Sequence, residues 1–188
     1  MPQFSSDWFS MHIPIWSEVV LPALPSGPCR CLEIGTHEGR SAIWILQNIV
    51  DLFPGGYLQC VDPLPDEVYE VWLQNMQSLP RFPIVSLCRL PFEEWYGQRR
   101  VVLGAGLERF QFIYVDGDHH ASSVMVDTCL SFKLLCPGGV MVMDDFLWRD
   151  RSWPDQKQPG RGIEAFLSAH VGEYTLLHRG YQVIIKKT

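Results

Sequence analysis

The sequence predicts a doubly wound α/β fold, in which a mostly parallel, seven-stranded sheet ends in an antiparallel hairpin. Three observations predict it. Short apolar runs of strand length alternate with segments of helical period along nearly the whole chain. Turns rich in Gly or Pro separate the two kinds of segment. The final YTLLHRGYQVIIKK folds back on itself around Arg179 and Gly180, which requires one antiparallel strand.

Each element follows in order. After the Pro-rich lead LPALPSGP, CLEIG reads as a first buried strand. RSAIWILQNIVDLF places Ile43, Leu46, Ile49, Val50 and Phe53 at helical spacing, and Gly55 with Gly56 stops it. YLQCVD is the second strand, ended by Pro63. PDEVYEVWLQNMQSL is a helix between Pro65 and Pro80. PIVSLCRL is the third strand, FEEWYGQ a short helical piece and FQFIYVD the fourth strand. ASSVMVDTCLSFKLL lines one face with Ala121, Val124, Met125, Thr128, Cys129, Phe132 and Leu135. CPGG then turns into the fifth strand, VMVMDD. WRDRSWPDQKQPG is a polar surface loop, and GIEAFLSAH a last helix before the hairpin. Repeated strand–helix–strand units put helices on both faces of a parallel sheet.

The totals set bounds. One domain spanning 1–188 is expected, with 1–28 a lead and 29–188 the core. Hydrophobic residues make up 47% and charged ones 19%, with a net charge of −6. An acidic chain argues against nucleic acid and anionic membranes as partners. Apolar runs such as AIWIL are too short to span a bilayer, and the N-terminus lacks a basic start and an apolar core, so no signal peptide is expected. Cys31, Cys60 and Cys88 fall in predicted strands, Cys129 and Cys136 on a predicted helix. Free thiols in a reducing, cytoplasmic setting fit that pattern better than a disulfide framework or a zinc site.

In open parallel sheets ligands bind beyond the carboxyl ends of the strands, so the strand exits carry the functional reading. The first exits as EIGTHEGRS, where Gly35 and Gly39 permit a tight turn. His37 stands where a dinucleotide-binding G-x-G-x-x-G needs its second glycine, which argues against NAD or FAD and leaves room for a nucleoside without phosphates. Asp62 ends the second strand, where a carboxylate accepts ribose hydroxyls. The fourth strand ends on Asp116 and the fifth on Asp144 and Asp145.

CLEIGTHEGRS resembles the first motif of class I S-adenosylmethionine-dependent methyltransferases, in the E-x-G-x-x-x-G-x-S form of the catechol and caffeoyl-CoA type of O-methyltransferase. The likeness extends through DWFSMHIPIW, CVDP, DGDH, LLCPGG, DDFLW and GYQVIIKK, and is strongest to small, mostly bacterial members. It implies a Rossmann-like core and S-adenosylmethionine as cofactor. Glu33, Gly35, Thr36, His37, Gly39 and Ser41 would form the methionine-binding turn, Asp62 would take the ribose, and the adenine would lie near Arg89 and Leu90. Asp116 would contact cofactor or substrate. With Asp144 and Asp145 it would also hold Mg²⁺, a hard cation suited to carboxylate oxygens. The expected reaction is methyl transfer to a hydroxyl of a small molecule.

His119 lies where catechol-type enzymes carry a lysine base, and an imidazole accepts a proton near neutrality. Structural roles stand beside these: Asp118 capping the helix at Ala121, Asp145 holding its loop, and His120 and His178 serving structure only. Trp8, Phe9 and His12 fit a lid over the cofactor or plain packing. Trp148, Arg149, Arg151 and Trp153 suggest an acidic or aromatic substrate. The site is either open or closed by a second subunit, as in a homodimer. Rival readings are metal-independent methylation of nitrogen or carbon, a cofactor-binding partner protein without catalysis, a nucleic-acid methylase and an oxidoreductase. D-G-D-H in place of the base-binding N/D-P-P-Y/F/W opposes the methylase, and the missing middle glycine opposes the oxidoreductase.

Overall fold

The structure, a computed structural model, describes residues 1–80, 84–103 and 109–188. Its sheet has seven strands in the order β3-β2-β1-β4-β5-β7-β6. These are β1 (Arg30–Ile34), β2 (Tyr57–Val61), β3 (Val85–Cys88), β4 (Phe110–Val115), β5 (Leu135–Met143), β6 (Tyr174–Arg179) and β7 (Val183–Lys187). The first five are parallel, and β7 runs antiparallel between β5 and β6. The doubly wound prediction with its terminal hairpin therefore holds. Pro83, the predicted start of the third strand, lies outside the described residues.

The chain opens with a helical run that the sequence reading treated as an irregular lead. A 3-10 turn (Ser10–His12), α1 (Ile13–Ile15), a π turn (Trp16–Val20) and α2 (Leu21–Ala23) follow one another without a break. Pro14 and Pro22 each sit in the first turn of an α segment, where a missing N–H costs nothing, so they do not break the run. Trp16 and Val20 are fully buried and dock it on the sheet.

The helices between strands are α3 (Arg40–Asn48), α4 (Asp66–Gln77), α5 (Phe92–Leu103), α6 (Ala121–Leu134) and α7 (Pro159–Ala169). Three boundaries differ from expectation. Helix α3 stops at Asn48 and a separate 3-10 turn, Val50–Leu52, follows it. Helix α5 runs well past the predicted FEEWYGQ. And Cys136 belongs to β5, not to a helix, because Pro137 disfavours helical geometry in the residue before it. Leu135 instead pairs with Phe110, so CPGG is drawn into the strand. All six cysteines are free thiols. No helix among the described residues is long and apolar enough to cross a membrane.

Apolar side chains fill both faces of the sheet. One layer gathers Trp16, Trp44, Leu58, Phe112 and Tyr114, and the other gathers Leu32, Phe110, Ile113, Phe132 and Phe166. The chain reverses direction across the sheet between β1 and β4, so the loops leaving these strands part to opposite faces and open a crevice.

Candidate active site

The strand exits form a row at that crevice. The Gly35 N–H donates to Val61 O at 3.0 Å, Asp62 N–H to Cys88 O at 3.1 Å, Asp116 N–H to Ile34 O at 2.8 Å and Asp144 N–H to Val115 O at 3.0 Å. Above them lies a cavity of about 950 Å³, near the upper end of the range for small-molecule sites. Gly35, Thr36, His37, Ser41, Asp62, Asp116, His119, Asp144 and Asp145 all line it, so most of the residues singled out in the sequence converge on one space. Glu33 and Gly39 brace the turn from behind.

Glu33 is fully buried and accepts hydrogen bonds from the Ser41 hydroxyl and, at 3.3 Å, the Cys60 thiol. Burial pushes its carboxyl up to about 7. Asp62 Oδ2 accepts the N–H groups of Thr36 at 2.7 Å and His37 at 3.0 Å, which fixes the turn between β1 and α3. Among the described residues nothing hydrogen-bonds its Oδ1. His37 sits at φ +45°, a left-handed conformation that costs roughly 1–2 kcal/mol outside glycine and is retained only where its surroundings hold it.

Neither Arg89 nor Leu90, expected near the adenine, lines the cavity. The Arg89 guanidinium turns away, bonding Leu64 O and Asp66 and stacking on Tyr69. Pro91, Phe92, Glu93, Asp118 and Asp127 line the cavity there instead. Asp118 receives the His120 N–H at 3.1 Å, one turn residue ahead of the helix, so it steadies the entry to α6 and is not its N-cap. Asp127 was not anticipated, since a lone acid in the ASSVMVDTCL pattern reads as a solvent face.

Burial, and after it the charges of Glu93 and Asp118, raises Asp127 to about 7. Between roughly pH 4 and 7 the folded chain keeps a proton that the unfolded chain releases, so this residue's contribution falls as pH rises through that window. Asp127→Asn is therefore expected to stabilise the protein on the order of 2 kcal/mol at pH 8 and to change little at pH 4. Urea denaturation at the two pH values checks this; equal effects at both would refute it.

The acids at the other end are closely packed. The Tyr114 hydroxyl contacts Asp144 Oδ2 and lies 3.0 Å from Asp116 Oδ2, yet it has a single proton to donate. Gln182 donates to Asp144 Oδ2 at 2.8 Å and accepts from the Trp16 indole at 2.7 Å. Asp145 adopts φ +59° and receives the Tyr181 hydroxyl at 3.1 Å. His119 Nε2 lies 2.8 Å from Asp145 Oδ2, and this hydrogen bond raises the imidazole's affinity for its proton. Burial first, then the neighbouring carboxylates, drives Asp116 well above the usual carboxylate range. Asp144 rises for the same reasons. Such a cluster is relieved by a cation.

The donor set fits one. Single ligand atoms of Asp116, His119 and Asp145 lie within 4.8 Å of one another. Asp144, expected as the third ligand, is engaged by Tyr114, Gln182 and the Asp145 N–H. Tyr114, Tyr181 and Gln182 escaped the sequence reading; Gln182 left a signal, a polar residue heading the apolar strand VII.

The N-terminal lead lies against the same cavity. Ser5 N–H donates to Glu38 at 2.6 Å, and Arg40 pairs with Asp7 at 3.3 Å. Phe9 packs in the core, Trp8 is 67% exposed with its ring 5.3 Å from that of His37, and His12 is buried at the cavity wall. On the far side Trp148 lines the cavity, whereas Arg149 is committed to the carbonyls of Phe146 and Trp148. Arg151, Trp153 and His178 lie outside the lining.

Comparison with solved structures finds the same fold. An O-methyltransferase from Bacillus cereus in complex with S-adenosylhomocysteine superposes with a TM-score of 0.73 at 18% identity, covering 98% of this chain and 84% of that one. TomG of Streptomyces achromogenes, an O-methyltransferase of tomaymycin synthesis bound to S-adenosylmethionine, gives 0.67 at 20% identity, covering 85% and 73%. The MycE methyltransferase of the mycinamycin pathway, in complex with Mg, S-adenosylhomocysteine and mycinamycin VI, gives 0.66 at 14%, covering 97% of this chain and 50% of that one. No curated protein matches the sequence. Residues 32–146, more than half of the chain, match the methyltransferase domain family. The chain belongs to that family: it is a class I S-adenosylmethionine-dependent methyltransferase.

Proposed function

We propose that the chain methylates a hydroxyl oxygen of a small, neutral aromatic molecule, with a divalent cation held by Asp116, His119 and Asp145. The observation that carries this reading is the convergence of those three donors on one end of a cavity whose other end is the Gly35 turn and Asp62. Bound there, S-adenosylmethionine supplies an already activated methyl group, so the chain's task is alignment and proton removal. A cation at the cluster would supply Lewis acidity to a substrate oxygen. Two carboxylates and an imidazole suit Mn²⁺ as well as the expected Mg²⁺. Asp62 Oδ1, which nothing among the described residues hydrogen-bonds, is available to ribose, while Trp8, Met11, Trp148 and Tyr181 offer apolar and aromatic surface in the same cavity. An acidic substrate fits poorly, because carboxylates crowd the lining and its guanidinium, Arg40, is paired with Asp7. MycE, with Mg in its complex, lends the cation support.

The 2.8 Å contact between His119 and Asp145 favours a second reading, in which the cluster closes on itself and transfer needs no metal. Calorimetry separates the two. EDTA-treated protein is expected to bind S-adenosylhomocysteine with micromolar affinity, and the complex then to bind Mn²⁺ or Mg²⁺. Asp116→Asn should abolish the cation heat while the nucleoside still binds. Nucleoside binding without cation binding in the wild type selects the metal-free reading. Binding of neither to folded protein leaves the non-catalytic partner role in front.

A further inference from the structure

The reaction end of the cavity has a second histidine, to which the methyl-transfer reading assigns no chemistry. His12 closes the 3-10 turn before α1, is only 5% exposed and faces the cavity. Its ring stacks on Tyr181, with centroids 5.4 Å apart at 31°, and the hydroxyl of that tyrosine reaches Asp145 at 3.1 Å. The ring thus lies about one side chain away from the cluster. Among the described residues no group hydrogen-bonds either of its nitrogens. A histidine kept for packing finds a partner, as His170 does in the carbonyl of Phe166 at 2.9 Å. Neither nitrogen is among the buried atoms without a partner, so the polar edge of the ring opens on the cavity, where a substrate hydroxyl can reach it.

His119 is already committed to the acid cluster. Its Nε2 lies 2.8 Å from Asp145 Oδ2, and with a cation bound the imidazole would serve as a ligand. We propose that His12 is the catalytic base, taking the proton of the substrate hydroxyl held at the Asp116–His119–Asp145 cluster. The inference rests on the methyl-transfer reading above. The O–H bond breaks with its electron pair left on oxygen, and the proton forms an N–H bond on the imidazole. The oxygen then takes the methyl carbon as the carbon–sulfur bond breaks with its pair on sulfur, and the imidazolium returns its proton to water. Asp144, Asp145, Tyr181, Asp116 and His119 are the titratable groups at this end of the cavity, and the charge of His12 acts on the Asp144 carboxyl.

The test uses 4-nitrocatechol, whose ionisation is visible as a colour change, added to the full chain saturated with S-adenosylhomocysteine and Mn²⁺. In the wild type the bound probe is expected to ionise at lower pH than the free probe. In His12→Gln and His12→Asn the ionisation midpoint should rise by about one pH unit, a tenfold change, with the affinity for S-adenosylhomocysteine unaltered. A midpoint unchanged in both variants, each folded by its thermal transition, overturns the base assignment. Failure of the wild-type complex to bind the probe overturns it too, together with the aromatic-hydroxyl substrate. Failure to bind S-adenosylhomocysteine marks instead the collapse of the underlying transferase reading.

Discussion

Gly35→Ala is expected to abolish measurable S-adenosylhomocysteine binding and to destabilise the fold by about 3 kcal/mol or more. A Cβ at this position would lie 1.8 Å from the carbonyl oxygen of Asp116 and 2.6 Å from its carbon. Both are backbone atoms, so no rotamer change relieves the overlap. The residue also sits at φ +79°, a conformation costing a further 1–2 kcal/mol, roughly, for a residue with a side chain. Relief requires the exits of β1 and β4 to separate, and those two exits carry the proposed cofactor turn and Asp116. Calorimetry with S-adenosylhomocysteine and a urea melt check the two halves of the expectation. A variant that binds within a few-fold of wild type would show that the crevice tolerates a wider opening.

Trp16→Ala should cost about 3–5 kcal/mol, the range for truncating a large buried aromatic, and lower the melting temperature by on the order of 10 °C. The indole is fully buried and meets Phe9, Trp44, Phe112 and Tyr114 edge-on, with centroids 4.9–5.3 Å apart. Its N–H holds Gln182, which in turn holds Asp144. The variant loses the anchor of the N-terminal helical run and one support of the acid cluster together. Cation affinity is therefore expected to fall further than S-adenosylhomocysteine affinity. Trp16→Phe, which keeps most of the packing but not the hydrogen bond, isolates the second effect. Equal losses of both affinities in that variant would contradict the link through Gln182.

The strands were legible because apolar runs ending on Gly or Asp are strong local signals. The Gly35 turn, Asp62, Asp116 and the 144–145 acids were legible for the same reason, since strand ends in a parallel sheet are where ligands bind. What escaped notice depends on contacts distant in sequence. Nothing near Asp144 announces that Tyr114 and Gln182 occupy it, so the exchange of Asp144 for His119 among the clustered donors is visible only in three dimensions. Asp127 looked like a surface acid because its burial is imposed by the α5 end of the cavity. The N-terminal helical run was hidden by two prolines, which read as breakers until each is seen to fall in a first turn.

The antiparallel course of β7 has a thermodynamic consequence. Because that strand runs against its neighbours, its beginning, not its end, meets the site, and Tyr181 and Gln182 arrive there from the last hairpin. The cavity is thus walled by residues drawn from Ser6 to Tyr181, and no partly folded portion of the chain contains it. A ligand that binds only the complete molecule stabilises all of it at once, by RT ln(1 + [L]/Kd). Cofactor occupancy should then retard hydrogen exchange on the distant edge strand β6 as well as around the ligand itself, wherever exchange requires global unfolding.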